Sequence, residues 1–387
     1  MLAPLTALNV AATAPLRLDR VELRLLRLPL VAPFETSFGS VDSRLIFLVR
    51  IEAEGVSGWG EVVAMEAPLF SYETAATARH VIRDFFAPAL LADPLSGLDE
   101  LAARLGVFRG HPMARAGLEQ AFVDLVARLQ ERSLSEVLGG SRDSVAVGVS
   151  LGIAARREAL LEQVERHLAL GYQRIKLKIK PGWDVDVVEA VRRRHPGTLL
   201  SVDANGAYRL ADAEHLARLD AFDLLMLEQP LQHDDLLDHA TLQKSIATSI
   251  CLDESLTGLR QTEQALELES CRIVNMKVGR VGGYSQALPI HALCRDRGVP
   301  LWCGGMLESG VGRAHNLALA SLEGFVLPGD ISASSRYFER DLIVPEVKVG
   351  ADGTVAVPRG PGLGFDIDHD YVRARTEVVE RFDRPGA

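Results

Sequence analysis

The sequence predicts an α/β protein: a modified (β/α)8 barrel of the TIM type, with an α+β capping domain formed by the N-terminal region and the C-terminal segment. Three observations carry this. From residue 145 onward, short β-branched or Leu-rich runs alternate with helical stretches eight times, at about 25 residues per repeat. Upstream, alternating strands precede a long helical pattern. Downstream, strand-like alternation returns.

Residues 1–19 read as an N-terminal extension in which Arg17 is the first charge; no basic stretch precedes the apolar one, which argues against a secretory signal. The capping domain is expected over 20–140. Within 21–30, Val21, Leu23 and Leu25 alternate with Glu22 and Arg24, and 45–53 leads through Glu54-Gly55-Val56-Ser57-Gly58 into Trp59-Gly60-Glu61-Val62, the pattern of antiparallel strands and a turn. In 111–129, Ala114, Leu118, Ala121, Phe122, Leu125 and Leu129 step by three and four along one helix face. Gly139-Gly140-Ser141 closes this unit. The barrel is expected over 141–335, with strands at 145–151, 174–179, 199–202, 224–227, 250–252, 273–276, 300–302 and 325–327. Segment 336–387 is expected to return to the cap, with a hairpin around Asp352-Gly353.

Composition narrows the function classes. A chain of 387 residues, 48 % hydrophobic and 24 % charged, has the balance of an ordinary globular protein and enough length for two domains. Its net charge of −10, without any Lys/Arg block, disfavours nucleic acid or an anionic membrane as partner. No apolar run reaches the roughly eighteen residues of a transmembrane helix, and the expected location is the cytoplasm. Cys251, Cys271, Cys294 and Cys303 show no CxxC or zinc-like spacing and read as reduced thiols. The histidines form no HExxH, and His315 reads as structural. There is no Walker A motif, and Gly55/Gly58/Gly60 and Gly282/Gly283 do not make a dinucleotide fingerprint.

The informative polar residues end the barrel runs. Lys178, Asp203, Glu228, Asp253 and Lys277 close the second to sixth runs at intervals of 25, 25, 25 and 24 residues. A lone acid after a strand is ordinarily a helix cap or a solvated loop residue. Five charges in phase, one per βα unit, instead line the carboxyl-end face of a barrel, where active sites are built. Asp203, Glu228 and Asp253 make a hard oxygen site suited to Mg²⁺, or to another divalent cation such as Mn²⁺ or Co²⁺. Runs two and six are four apart in a ring of eight, so Lys178 and Lys277 are expected to face each other across the mouth. That arrangement suits a two-base 1,1-proton transfer next to a substrate carboxylate, with the cation as Lewis acid. The cation, and Lys176 beside Lys178, are expected to favour the free amines. A catalytically silent barrel serving as a binding protein would show a broken charge set, whereas all five positions are filled.

These residues resemble the enolase superfamily, in its muconate-lactonizing-enzyme-like group with Lys-x-Lys on the second strand; a Lys base with a divalent metal is a known pattern of that superfamily. Within it, the sequence more closely resembles the N-acylamino acid (N-succinylamino acid) racemase and o-succinylbenzoate synthase family. The resemblance rests on Gly148-Val149-Ser150-Leu151-Gly152, the stretch 174–184 beginning Arg174-Ile175-Lys176-Leu177-Lys178, Val202-Asp203-Ala204-Asn205, Glu228-Gln229-Pro230-Leu231, Leu252-Asp253-Glu254-Ser255 and the stretch 302–310, and it spans about residues 20–368. It implies Asp203, Glu228 and Asp253 as Mg²⁺ ligands and Lys178 and Lys277 as the acid/base pair. It further implies carboxylate binding by Lys176, and substrate contacts from Ser150, Asn205 and Gly305-Met306-Leu307. Residues 34–39 and 66–72 correspond to loops that close over the site, and Glu254 to the acid that follows the fifth-strand ligand. Two reactions on a small carboxylate are implied: racemization of N-acyl amino acids, and dehydration to o-succinylbenzoate in menaquinone synthesis. In the dehydration, Lys178 serves as base and then acid while Lys277 stabilises the intermediate. Synthase activity alone, dipeptide epimerization and muconate-type cycloisomerization are the alternatives, and a homo-oligomer is expected.

Overall fold

The structure is a computed structural model and describes residues 11–37 and 39–386. The cap is built on a sheet of β1 (Arg20–Thr36), β2 (Gly39–Ala53) and β3 (Val56–Val62), paired antiparallel in order. The C-terminal strand Thr376–Asp383 completes it along the free edge of β1, with Asp383 opposite Arg20. The expected alternation in β1 is only partly kept: Val21 and Leu23 are buried, but so is Glu22, whose carboxylate is held by Arg24 and Arg381 at 2.6 Å each. Of the expected extension, residues 1–10 lie outside the described residues. Ala11–Leu16 forms a strand against Leu95–Gly97, so this part packs on the cap, with Leu16 and Leu18 buried.

The helix expected over 111–129 is α1 (Pro112–Leu129), and it is buried on nearly every side rather than along one stripe. It lies against the cap sheet and also reaches the barrel, where the Glu119 carboxylate accepts from the Ser285 N–H and hydroxyl. Close approach to the sheet needs glycine: a Cβ on Gly60 would lie 2.1 Å from the Gly117 carbonyl oxygen, and one on Gly58 would lie 2.1 Å from that of Ala121. Gly60→Ala is therefore expected to cost about 1–3 kcal/mol or more, because backbone must move to admit the methyl group. A shift of the denaturant midpoint to lower concentration checks this; an unchanged midpoint would show that the helix is free to retreat.

The barrel strands are β4 (Gly148–Leu151), β5 (Arg174–Lys178), β6 (Leu199–Asp203), β7 (Leu227–Glu228), β8 (Ile250–Leu252), β9 (Ile273–Met276) and β10 (Leu301–Cys303). They pair parallel and in sequence order, forming a curled seven-stranded sheet. The eighth expected run, 325–327, is not a regular strand. The N–H groups of Val326 and Leu327 both donate to the Leu301 carbonyl, while Gly329 exchanges bonds with Ala146 and Gly148. The segment thus joins the two sheet edges irregularly. Pro328 offers no N–H, and Gly329 passes so close to the Cys303 carbonyl that a Cβ would sit 2.9 Å away. The ring has eight staves but seven strands.

The expected hairpin around Asp352-Gly353 is also corrected. The turn is present, with Gly353 at φ +73° and the Gly350 N–H donating to the Thr354 carbonyl. Its outgoing strand, Thr354–Ala356, pairs with Ser144–Ala146, which breaks away from the first expected barrel run. The return to the cap is made instead by Thr376–Asp383. Two helices matter for the site: α2 (Tyr284–Asp296) follows β9, and α3 (Gly310–Ala320) follows β10. Among the described residues, no helix is long and apolar enough to cross a membrane. All four cysteines are buried and unpaired.

Candidate functional site

Strand register sets the site. Parallel pairing puts Lys178 beside Asp203 and Asp203 beside Glu228, while Ser150 and Lys176 are paired one layer below. Because side chains alternate along a strand, Lys176 and Lys178 share the inward face. Asp253 follows β8, and Lys277 stands between β9 and the short helix Val278–Val281. Lys178 and Lys277 thus lie on opposite flanks of the carboxylates, with β6, β7 and β8 between their strands.

The polar network is dense and buried. Lys178 Nζ donates to Asp203 Oδ2 at 2.6 Å and to Asn205 Oδ1 at 2.7 Å, and Lys277 Nζ donates to Asp253 Oδ2 at 2.7 Å. Lys176 Nζ lies 2.8 Å from Glu228 Oε2, 3.4 Å from Asp203 Oδ2 and 2.7 Å from Asp330 Oδ2. Burial alone would lower the Lys277 pKa, but Asp253, Glu228 and Glu254 outweigh it and hold the ammonium form; Lys176 is raised in the same way by Asp330, Glu228 and Asp203. Asp253 is pulled down to about 2: burial acts against this, and Lys277 and Arg280 overcome it. Burial, then Asp253 and Asp203, push Glu254 up to about 8.

Among the described residues, no three His, Cys, Asp or Glu side chains form a ready metal cage. The donor chemistry nevertheless fits a hard divalent cation. Asp203 Oδ1 accepts from the Asn205 N–H, Glu228 Oε1 from the Asn275 amide and Asp253 Oδ1 from Arg280. Each carboxylate is thereby oriented by one oxygen, while its other oxygen, among the described residues, is held only by ammonium groups. Glu254 adds a buried Oε2 with no hydrogen-bond partner among the described residues. Three oriented oxygens from adjacent staves suit Mg²⁺.

Above this layer lies a cavity of about 210 Å³. Ser150, Lys176, Lys178, Asn205, Lys277, Gly305, Met306 and Leu307 all line it, so the expected catalytic and substrate-binding residues come together in one place. Phe34, Thr36 and Gly39 from the β1–β2 hairpin tip, and Glu66, Ala67, Leu69 and Phe70 from the loop after β3, cover it from the cap. Phe70 lies against Lys277, with Nζ 4.6 Å from the ring centroid.

Sequence reasoning missed several members of this site. Asp330 grips Lys176 and Arg174 from the irregular eighth stave, three residues past the run expected at 325–327 rather than at its end. Arg280 and Asn275 orient Asp253 and Glu228. Asn275 was within reach, since it lies two residues before Lys277 and so shares its strand face. Arg280 sits on a one-turn helix with no pattern to mark it.

Two family descriptions match the chain: the N-terminal domain of mandelate racemase and muconate lactonizing enzyme over residues 20–139, and an enolase C-terminal domain-like unit over 159–371. A curated o-succinylbenzoate synthase from Geobacillus stearothermophilus is 50 % identical over 370 residues, covering 95 % of this chain and 98 % of the relative. An N-succinylamino acid racemase from Thermus thermophilus is 51 % identical over 367 residues, covering 95 % and 99 %. The crystal structure of an enolase-superfamily member from Listeria innocua superposes with a TM-score of 0.92 at 40 % identity, covering 95 % of this chain and 99 % of that one.

Proposed function

The chain belongs to the mandelate racemase and muconate lactonizing enzyme family of the enolase superfamily, and from that premise we propose that it is an N-succinylamino acid (N-acylamino acid) racemase with accompanying o-succinylbenzoate synthase activity. The supporting observation is the placement of Lys178 and Lys277 on opposite flanks of three oriented carboxylates, both facing one cavity. A substrate carboxylate held between them exposes each face of its α-carbon to one amine. Racemization then consists of proton removal by one lysine and return by the other. For the dehydration, Lys178 takes the proton and returns it to the leaving hydroxyl, while the Lys277 ammonium faces the developing negative charge. Lys176, fixed by Glu228 and Asp330, is the cation available to the substrate carboxylate. Ser150, Asn205 and the Gly305-Met306-Leu307 loop shape the remainder.

Asp203, Glu228 and Asp253 would hold a Mg²⁺ ion that supplies Lewis-acid stabilisation of the negative charge formed on proton removal. Members of this superfamily generally use that metal. A reducing, cytoplasmic setting fits the four unpaired thiols, and assembly as a homo-oligomer is part of the same reading.

Assays of the purified protein with Mg²⁺ test the reading. Loss of optical rotation from single enantiomers of N-succinyl amino acids, and formation of o-succinylbenzoate from its cyclohexadiene precursor, are both expected. Turnover of dipeptides or muconate alone would move the assignment to epimerase or cycloisomerase. Absence of any α-proton exchange across such a panel would overturn it.

A further inference from the structure

The two lysines are supported differently. Lys178 is held by Asp203 and Asn205, both from the barrel. The surroundings of Lys277 depend on the cap: Phe70 covers it, and Val63 packs on Gly279 so closely that a Cβ there would lie 2.3 Å from Val63 Cγ2. On its other side, Met306 Sδ lies 3.6 Å from Lys277 Nζ. Met306 is fixed by its own N–H, which donates to Glu308 Oε2 at 2.7 Å, and Glu308 is tied to α3 through Asn316.

Glu61 connects these two supports. It lies at the end of β3, immediately before the chain that carries Val63 and Phe70, and is fully buried. Its carboxylate crosses to the barrel and accepts from the Ser309 N–H, the Ser309 hydroxyl at 2.6 Å and the Gly312 N–H at 3.1 Å, at the start of α3. Gly312 makes room for it, since a Cβ there would meet Glu308 carbons at 2.7 Å and Glu61 Oε2 at 3.1 Å. Burial pushes the Glu61 carboxyl up to about 7, with Glu308 adding to the shift against the Ser309 bonds. A second buried acid beside Glu308 is a costly way to join two domains, where apolar packing would serve.

Resting on the two-lysine reading above, we propose that Glu61 is a positioning residue for Lys277: by clasping the N-terminus of α3 it holds the cap loop and the β10 loop together around that lysine. The Lys178 flank meets the cap elsewhere, through the hairpin tip, where the Glu35 carbonyl accepts from the Ile153 N–H at 3.0 Å. Loss of the clasp therefore disturbs one face of the substrate more than the other.

The test is α-proton exchange in D₂O with Mg²⁺, followed separately from each enantiomer of an N-succinyl amino acid. Loss of exchange in Lys277→Ala identifies the enantiomer that depends on Lys277. Glu61→Gln keeps the volume but turns an amide donor toward N–H and O–H donors. It is expected to slow that enantiomer ~10-fold or more relative to the other, since a shift of about 1 Å in a catalytic group can cost about 10²-fold. Ser309→Ala, which removes one of the three donors, is expected to skew the ratio in the same direction by less. An equal fall for both enantiomers, or no change, in a folded Glu61→Gln protein would overturn the inference while leaving the racemase reading intact. If Glu61→Gln does not fold, the ratio in Ser309→Ala decides by the same criterion. Absence of exchange in the wild-type protein would overturn the reading and the inference together.

Discussion

Lys178→Ala and Lys277→Ala are each expected to abolish racemization, with losses on the order of 10²–10⁴-fold or greater for removal of a positioned acid/base group. The informative part of the result is its asymmetry. With one lysine gone, the other still faces its own side of the α-carbon, so each variant should retain deuterium exchange from one enantiomer only, and a different one in each. Net dehydration is lost in Lys178→Ala, where no base remains. Misfolding is the competing explanation, since removing one partner of a buried ion pair can cost about 3–5 kcal/mol. Here the orphaned acids keep other partners: Asp203 retains Lys176, and Asp253 retains Arg280. Both variants should therefore keep wild-type circular dichroism and a cooperative unfolding transition. Full racemase activity in either purified variant would sink the two-base proposal.

Chelation is expected to stop both reactions and Mg²⁺ to restore them, with Mn²⁺ or Co²⁺ as substitutes. Asp203, Glu228 and Asp253 lie 1 % exposed or less, close enough for Asp203 and Asp253 to hold the Glu228 carboxyl above its ordinary range together with burial. Taking a proton from carbon beside a carboxylate adds further negative charge to this region, which the lysines alone must then meet. Without a divalent ion, the reaction should fall to the assay background, and thermal stability should rise on adding Mg²⁺ because only the folded chain brings the three acids together. Unchanged turnover in exhaustively stripped protein would contradict the carboxylate site.

The period of 25 made the barrel legible, because the second to sixth of its eight runs each end in a charge on the same face. The strands at 250–252 and 273–276 fall where β-branched runs predict them. What escaped the sequence depended on long-range partners. The eighth run, 325–327, reads as a strand but is held by irregular bonds that join Leu301 to Ala146 and Gly148, and Asp330, three residues beyond it, escapes the strand-end pattern. Glu61 reads as an ordinary strand-end acid until Ser309, 248 residues later, supplies its partners. The Asp352-Gly353 turn is legible, but the strand it feeds pairs with Ser144–Ala146 and not with the cap.

The edge of the cap sheet has a consequence for the order of synthesis. Arg20 and Asp383 pair across 363 residues, so every barrel strand emerges from the ribosome before the strand that finishes the cap. The nascent barrel must mature under a lid with one open β edge, and such an edge is a template for pairing with other chains. A chain cut short after the barrel would carry all the acids and lysines yet leave the outer edge of β1 open. Completion of the lid thus waits for residues 376–383, which are not among the residues lining the cavity.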